Sequence, residues 1–284
     1  MLRQRWLERK ARLFDRRQLF HQGLKRTYAL YTPPIYKDEN SLPLVLGFHG
    51  GYTLASRFAI TTGLNDLADE KKFLVVYPQG IDSHWNDGRG TTNPQIDDVG
   101  FVEALIHEIQ NLRNIDSRRI YVTGISNGGY FVQRLACQLP QKIAAFASVA
   151  ATLPVPLRDC RQGQLPVSIL MINSPNDTFV PWEGGIGTKG KGGEILSVPA
   201  TVEFWRQHNG CSSIKETQLL GDNVEMMRYS GRNSEVEVIL VTVKDGGHTW
   251  PGGKQQPQWL VGKTTKEIQA SYLIWDFFQR HTLH

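Results

Sequence analysis

The sequence predicts an α/β protein, a mostly parallel central sheet with helices on both faces. Three observations carry that expectation. The runs Leu42–Phe48 (LPLVLGF), Phe73–Tyr77 (FLVVY) and Val167–Asn173 (VSILMIN) are almost wholly apolar, as strands buried on both faces must be. Segments of helical spacing separate them, and such alternation implies right-handed crossovers and three layers. Across 284 residues no linker, repeat or composition shift divides the chain, which favours one domain over two.

The first stretch is the most basic. Met1 to Phe20 carries Arg3, Arg5, Arg9, Lys10, Arg12, Arg16 and Arg17 against Glu8 and Asp15, a surplus equal to the whole chain's net charge of +5. The rest is formally neutral, so the high pI argues for no nucleic-acid-binding face. Drawn as a helix, the stretch sets Leu2, Trp6, Leu7, Leu13 and Phe14 on one side and the arginines on the other. Residues 1–22 are read as a basic tail, docked or frayed, on a single domain over residues 23–284; a helix lying on an anionic membrane is the alternative. The tail lacks the apolar centre of a signal peptide, so a cytoplasmic protein is expected. No run approaches the ~18–20 apolar residues of a membrane span.

Lys25 to Thr32 alternates in character and meets Pro33-Pro34, which reads as an edge strand. The buried strand Leu42–Phe48 ends at His49-Gly50-Gly51. Ser56 to Lys71 reads as one helix with Leu64, Leu67 and Ala68 on its inner side, and the strand after it closes at Pro78. The polar, Gly-rich loop Gln79–Pro94 is too long for a plain connector, and such loops at strand ends carry function. Asp97 or Asp98 caps a helix reaching about Asn111. Later come strands over Ile143–Ala151, Val167–Asn173 and Glu235–Lys244, and helices over Ser197–His208 and Thr265–Arg280. Cys137, Cys160 and Cys211 match no metal spacing; one disulfide with a free thiol and three thiols both remain open.

The chemistry gathers around Ile120 to Leu139 (IYVTGISNGGYFVQRLACQL). A β-branched and aromatic run leads into Gly-Ile-Ser-Asn-Gly and then into a helix with Phe131, Leu135 and Leu139 on one face. Strand, G-x-S-x-G, helix is the setting of a nucleophile elbow, with Ser126 on a strained turn and a helix N-terminus behind it. A serine hydroxyl needs a base, and the base an orienting acid. In elbow-type hydrolases these follow the serine as acid and then histidine, each just past a strand. Asp177, beyond Val167–Asn173, and His248, beyond Glu235–Lys244, meet those conditions. Asp245 sits at a strand end with poor reach to the imidazole, and Asp97 and Asp98 precede the serine as caps. The N–H of Asn127 and that of Gly51, with Tyr52 next in line, are the candidate oxyanion donors; His49 is read as holding their loop.

HGG after a strand, YPQGI followed by Trp85, DDVGF, GISNGG, NDTFVPWEGG and GGHTWPGG together resemble the polyhydroxybutyrate depolymerase/feruloyl esterase group of α/β-hydrolases, related to carbohydrate esterase family 1. The resemblance runs from about Gly23 to the C-terminus. It implies an α/β-hydrolase fold and a triad of Ser126, Asp177 and His248, in agreement with the reading of the residues themselves. Where members often read H-G-x-x-D, this chain has Asn173-Ser174-Pro175-Asn176-Asp177. Many relatives are secreted, and many depolymerases carry an appended binding domain that is not found here.

The leading expectation is a serine carboxylic-ester hydrolase acting on hydroxycinnamoyl (feruloyl-type), short-chain or 3-hydroxyalkanoate oligomer esters, with no cofactor or metal. Its partner is a small-molecule or oligomeric ester, and the sequence leaves the oligomeric state open. A serine peptidase of the same fold and an inactive binding module are the alternatives. Trp85, Trp182 and Trp250 fall on loops at the catalytic edge and, with Tyr52, suggest an aromatic-walled cleft.

Overall fold

Side chains alternate between two cores along every central strand. In Leu42–Phe48, Leu44, Leu46 and Phe48 enter one apolar cluster and Val45 the other. Ile120 and Val122 face the first cluster and Tyr121 the second; Ile169 and Met171 face the first, Leu170 and Ile172 the second. A strand with both faces apolar needs a layer on each side, and here helices supply both.

The computed structural model describes residues 14–37, 39–160, 165–187, 189–231 and 236–283. In chain order its elements are β1 (Phe14–His21), β2 (Leu24–Tyr31), β3 (Leu42–Phe48), α1 (Ala55–Thr62), α2 (Leu64–Lys71), β4 (Leu74–Pro78), α3 (Asp98–Leu112), β5 (Ile115–Ile125), α4 (Asn127–Gln138), β6 (Ala145–Val149) and β7 (Ser168–Asn173). They continue with β8 (Gly185–Ile186), β9 (Glu194–Ile195), α5 (Val198–His208), β10 (Glu216–Leu219), β11 (Val224–Ser230), β12 (Glu237–Val243), α6 (Gln258–Val261) and α7 (Ala270–Phe278). The main sheet runs β1-β2-β4-β3-β5-β6-β7-β12-β11-β10. From β4 to β12 all neighbours are parallel, and antiparallel strands flank both ends. Helices α3, α4 and α5 cover one face, and α1, α2 and α7 the other.

Several expectations change. Phe14–His21 is strand β1 rather than part of a helical tail, so residues 14–21 belong to the sheet; residues 1–13 lie outside the described residues. Its side chains alternate in burial, and Gln22 and Gly23, with φ of 48° and 77°, make the tight turn into β2. β2 is consequently an inner strand paired to both β1 and β4, and not an edge. The helix expected over Ser56–Lys71 is two helices, because Gly63 at φ 66° ends one and starts the other. The pairs β8–β9 and β10–β11 carry little apolar signal in the sequence and were not expected. Cys137 and Cys160 form a disulfide between α4 and the segment after β6, while Cys211 is a buried free thiol.

The C-terminus is tied back through one buried carboxylate. Glu237, at the start of β12, accepts from Arg280 Nη2 (2.5 Å), Arg228 Nε (2.5 Å) and His281 Nε2 (2.9 Å). Burial works to raise this carboxyl, but the hydrogen bonds and charges of His281 and Arg280 outweigh it and bring it to about 2. A lowered folded value contributes stability that is complete above the ordinary 4.5 and is lost as pH falls toward about 2. Urea unfolding of the wild type should therefore lose on the order of 2 kcal/mol more than Glu237→Gln over that window. Parallel curves for the two proteins would refute the assignment.

Candidate active site

Three parallel strands end at one edge of the sheet, and each delivers one residue. Ser126 follows β5, Asp177 lies in the loop after β7, and His248 in the loop after β12. Because β5, β6, β7 and β12 are consecutive neighbours, their C-terminal loops share one crevice.

Ser126 has φ 57° and ψ −123°, a conformation that L-residues adopt only under constraint. The constraint is close packing at the turn. A Cβ on Gly128 would lie 2.3 Å from the Phe48 carbonyl oxygen, and one on Gly124 would lie 2.6 Å from the Gly128 oxygen. Only glycine at both positions lets α4 leave β5 so steeply.

His248 Nδ1 lies 2.8 Å from Asp177 Oδ2. The other carboxylate oxygen of Asp177 accepts from the N–H groups of Phe179 (2.8 Å) and Val180 (2.9 Å), so the acid is held as an acceptor. Phe179 stacks on the imidazole with ring centres 4.6 Å apart. The loop that carries the acid is pinned to the loop that carries the histidine: Ser174 Oγ donates to the Gly246 carbonyl (2.5 Å) and Asn176 Nδ2 to that of Lys244 (2.8 Å). Asp245 is instead ion-paired with Lys263.

The loops that carry Gly51 and Asn127, the expected oxyanion donors, are held by a buried network. Tyr52 N–H, the second donor expected on this loop, donates instead to the Ser83 carbonyl (3.1 Å). A Cβ on Gly51 would meet the His84 ring at 3.0 Å. His49 is buried and held neutral, its imidazolium value lowered by burial to about 4. Its Nε2 accepts from Gly80 N–H (3.0 Å) while Nδ1 lies 2.7 Å from the Gly50 carbonyl, so the ring fastens this loop and takes no part as a base. The Asn127 side chain clasps the Trp85 backbone at both its N–H (2.8 Å) and its carbonyl (3.0 Å), and donates to Asp87 Oδ2 (2.6 Å).

A cavity of about 430 Å³ contains Gly51, Tyr52, Ser126, Asn127 and His248 among its lining residues. Of the three tryptophans expected there, only Trp250 borders it. Trp85 is fully buried beneath the elbow, stacked on Phe131 with its indole N–H on the His49 carbonyl (3.0 Å), because the loop after β4 folds inward to meet Asn127. Trp182 is half-buried against the core on the α4 side. Phe58, Tyr130 and Phe179 form the aromatic wall instead. Tyr130 and Phe58 sit on helices whose apolar spacing reads equally well as core, so nothing in the sequence singled them out. Asp87 and Arg89 were likewise missed: they lie in the long loop that was expected to be functional, but no motif marks them.

Likeness to known proteins agrees with this geometry. A family model described as "Esterase PHB depolymerase" matches residues 26–155, which include the elbow and the HGG loop. NocK of Nocardia uniformis subsp. tsuyamanensis is 28% identical over 92% of this chain and 81% of its own length. Feruloyl esterase B of Piromyces equi is 29% identical over 78% of this chain, which spans 42% of that longer protein. The crystal structure of a thermostable esterase superposes with a TM-score of 0.62 at 16% identity, over 95% of this chain and 63% of that one, and shows the common fold. With the elbow motif and the sheet order pointing the same way, the chain has an α/β-hydrolase fold and resembles the polyhydroxybutyrate depolymerase/feruloyl esterase group.

Proposed function

We propose that the chain hydrolyses carboxylic esters through an acyl-enzyme formed on Ser126. One observation carries the reading: Asp177 holds the imidazole of His248 in the same cavity that Ser126 enters on its strained turn. Ser126 attacks the ester carbonyl while His248 takes its proton, and Asp177 fixes the tautomer and stabilises the imidazolium. The N–H groups of Gly51 and Asn127 receive the developing oxyanion at the start of α4, where the helix dipole favours negative charge. His248 then protonates the leaving alkoxide, and water attacks the acyl-enzyme by the same route in reverse.

The cavity volume and its aromatic wall favour a hydroxycinnamoyl, short-chain or 3-hydroxyalkanoate ester over a long-chain lipid. The relative named a feruloyl esterase supports the first of these classes. The Cys137–Cys160 disulfide supports an oxidising compartment rather than the cytoplasm. Among the described residues no helix is long and apolar enough to cross a membrane.

A fluorophosphonate probe tests the reaction class. The wild type should label stoichiometrically at Ser126, and peptide mapping should place the adduct there. Failure to label, or an adduct elsewhere, would leave a binding module. Asp177→Asn should fold and lose about 10³–10⁴-fold in turnover while Asp245→Asn stays near wild type. The reverse ranking would move the acid to Asp245.

A further inference from the structure

The cavity's charge is one-sided. Among the described residues four cationic side chains line it, Arg57, Arg89, Lys189 and Lys191, and no aspartate or glutamate does. Chain-wide charge does not account for this, because the surplus of +5 equals that of residues 1–20 alone. The cations also differ in what holds them. Arg89 is neutralised from behind by buried Asp87 (2.7 Å), and its Nη1 donates to the Gly192 carbonyl (2.7 Å). Thr91 Oγ1 reaches the same carbonyl at 3.2 Å. Arg89 thus acts as an anchor that draws the β8–β9 segment over the cavity.

That segment presents the lysines. Lys189 Nζ donates to Thr178 Oγ1 (3.1 Å) and stands 4.5 Å from the centre of the Phe179 ring, the ring that stacks on His248. Its ammonium is therefore only one aromatic ring removed from the catalytic imidazole. Arg57, on α1, lines the cavity from a separate element. Among the described residues Arg57, Lys189 and Lys191 make no ion pair with a carboxylate. Unpaired cations converging on a pocket with apolar walls raise the local concentration of anions and favour their binding.

We infer that the ester taken by this site carries a carboxylate a few bonds from the scissile carbonyl, as an oligoester with a free acid end does, and that Lys189, Lys191 and Arg57 select it. The inference rests on the ester-hydrolase reading above and narrows its substrate class. A neutral hydroxycinnamoyl or alkyl ester would leave these cations without an anionic partner.

Two chromogenic esters of matched length, 4-nitrophenyl pentanoate and the mono-4-nitrophenyl ester of glutaric acid, separate the possibilities when assayed on the full chain and on Ser126→Ala. The charged ester should show a kcat/KM about tenfold higher at low ionic strength. That ratio should fall toward one in 1 M NaCl, where the screening length is ~3 Å. It should also fall in Lys189→Gln/Lys191→Gln, while 1 M NaCl and the double substitution combined add little further. Equal use of both esters at low salt, or a preference that survives both salt and substitution, would overturn the inference and leave Ser126-dependent hydrolysis standing. Loss of Ser126 dependence on either ester would overturn the hydrolase reading itself.

Discussion

Ser126→Ala should lower ester turnover by about 10⁴-fold or more while the protein stays folded, because removing the nucleophile leaves only the oxyanion hole and binding to assist water. The strained backbone makes a sharper version available. Ser126 sits at φ 57°, where a non-glycine residue costs of order 1–3 kcal/mol. Ser126→Gly should therefore be as inactive as the alanine variant and more stable in urea, by about 1 kcal/mol. Stability gained as activity is lost would mark the turn as strained for function. A glycine variant less stable than wild type would mean that Ser126 is a structural residue, and ordinary activity on 4-nitrophenyl acetate in either variant would refute the elbow assignment.

Arg26→Met should destabilise the fold by about 3–5 kcal/mol, the penalty for leaving a buried charge without its partner. Arg26 on β2 and Asp98 in the first turn of α3 are both buried and meet at 2.6 Å, with the guanidinium 3.8 Å above the Phe101 ring. The second oxygen of Asp98 accepts from Asn86 N–H at 2.6 Å. Of the two residues expected as the cap, Asp97 takes the role by accepting from Gly100 N–H (2.9 Å), which leaves Asp98 to tie β2 to the loop that holds Asp87.

Burial already raises the Asp98 carboxyl despite Arg26, and losing the guanidinium would raise it further. A raised folded value contributes stability below the unfolded value that is lost as pH rises. The deficit of Arg26→Met should accordingly be smaller near pH 4 than near pH 8, and the double variant Arg26→Met/Asp98→Asn should recover a large part of it. Equal deficits at both pH values, with no recovery in the double variant, would locate the cost in lost packing of the Arg26 stem.

The strands that lead to Ser126, Asp177 and His248 were legible because each is apolar on both faces in its inner part and punctuated by glycine or proline. The meeting of their ends was legible because Ser126, Asp177 and His248 follow three such strands in the chain order that the proposed elbow chemistry requires. Local patterns of this kind are written into adjacent residues. The outer strands were harder to read. β1 alternates half-exposed residues within a strongly basic stretch, and period two over eight residues is easily taken for an amphipathic helix when a second run of arginines precedes it.

What tertiary structure decided is everything set by partners distant in the chain. Trp85 looked like a cleft residue and is a buried brace, because its backbone pairs with Asn127, 42 residues away. Arg89 reaches Gly192, 103 residues away, and that contact brings Lys189 and Lys191 over the cavity. Which cysteines pair and which glutamate ties down the C-terminus were decided in the same way. Residue type and spacing determine which local conformations are favourable, whereas a contact across the sheet depends on where the whole chain places both partners.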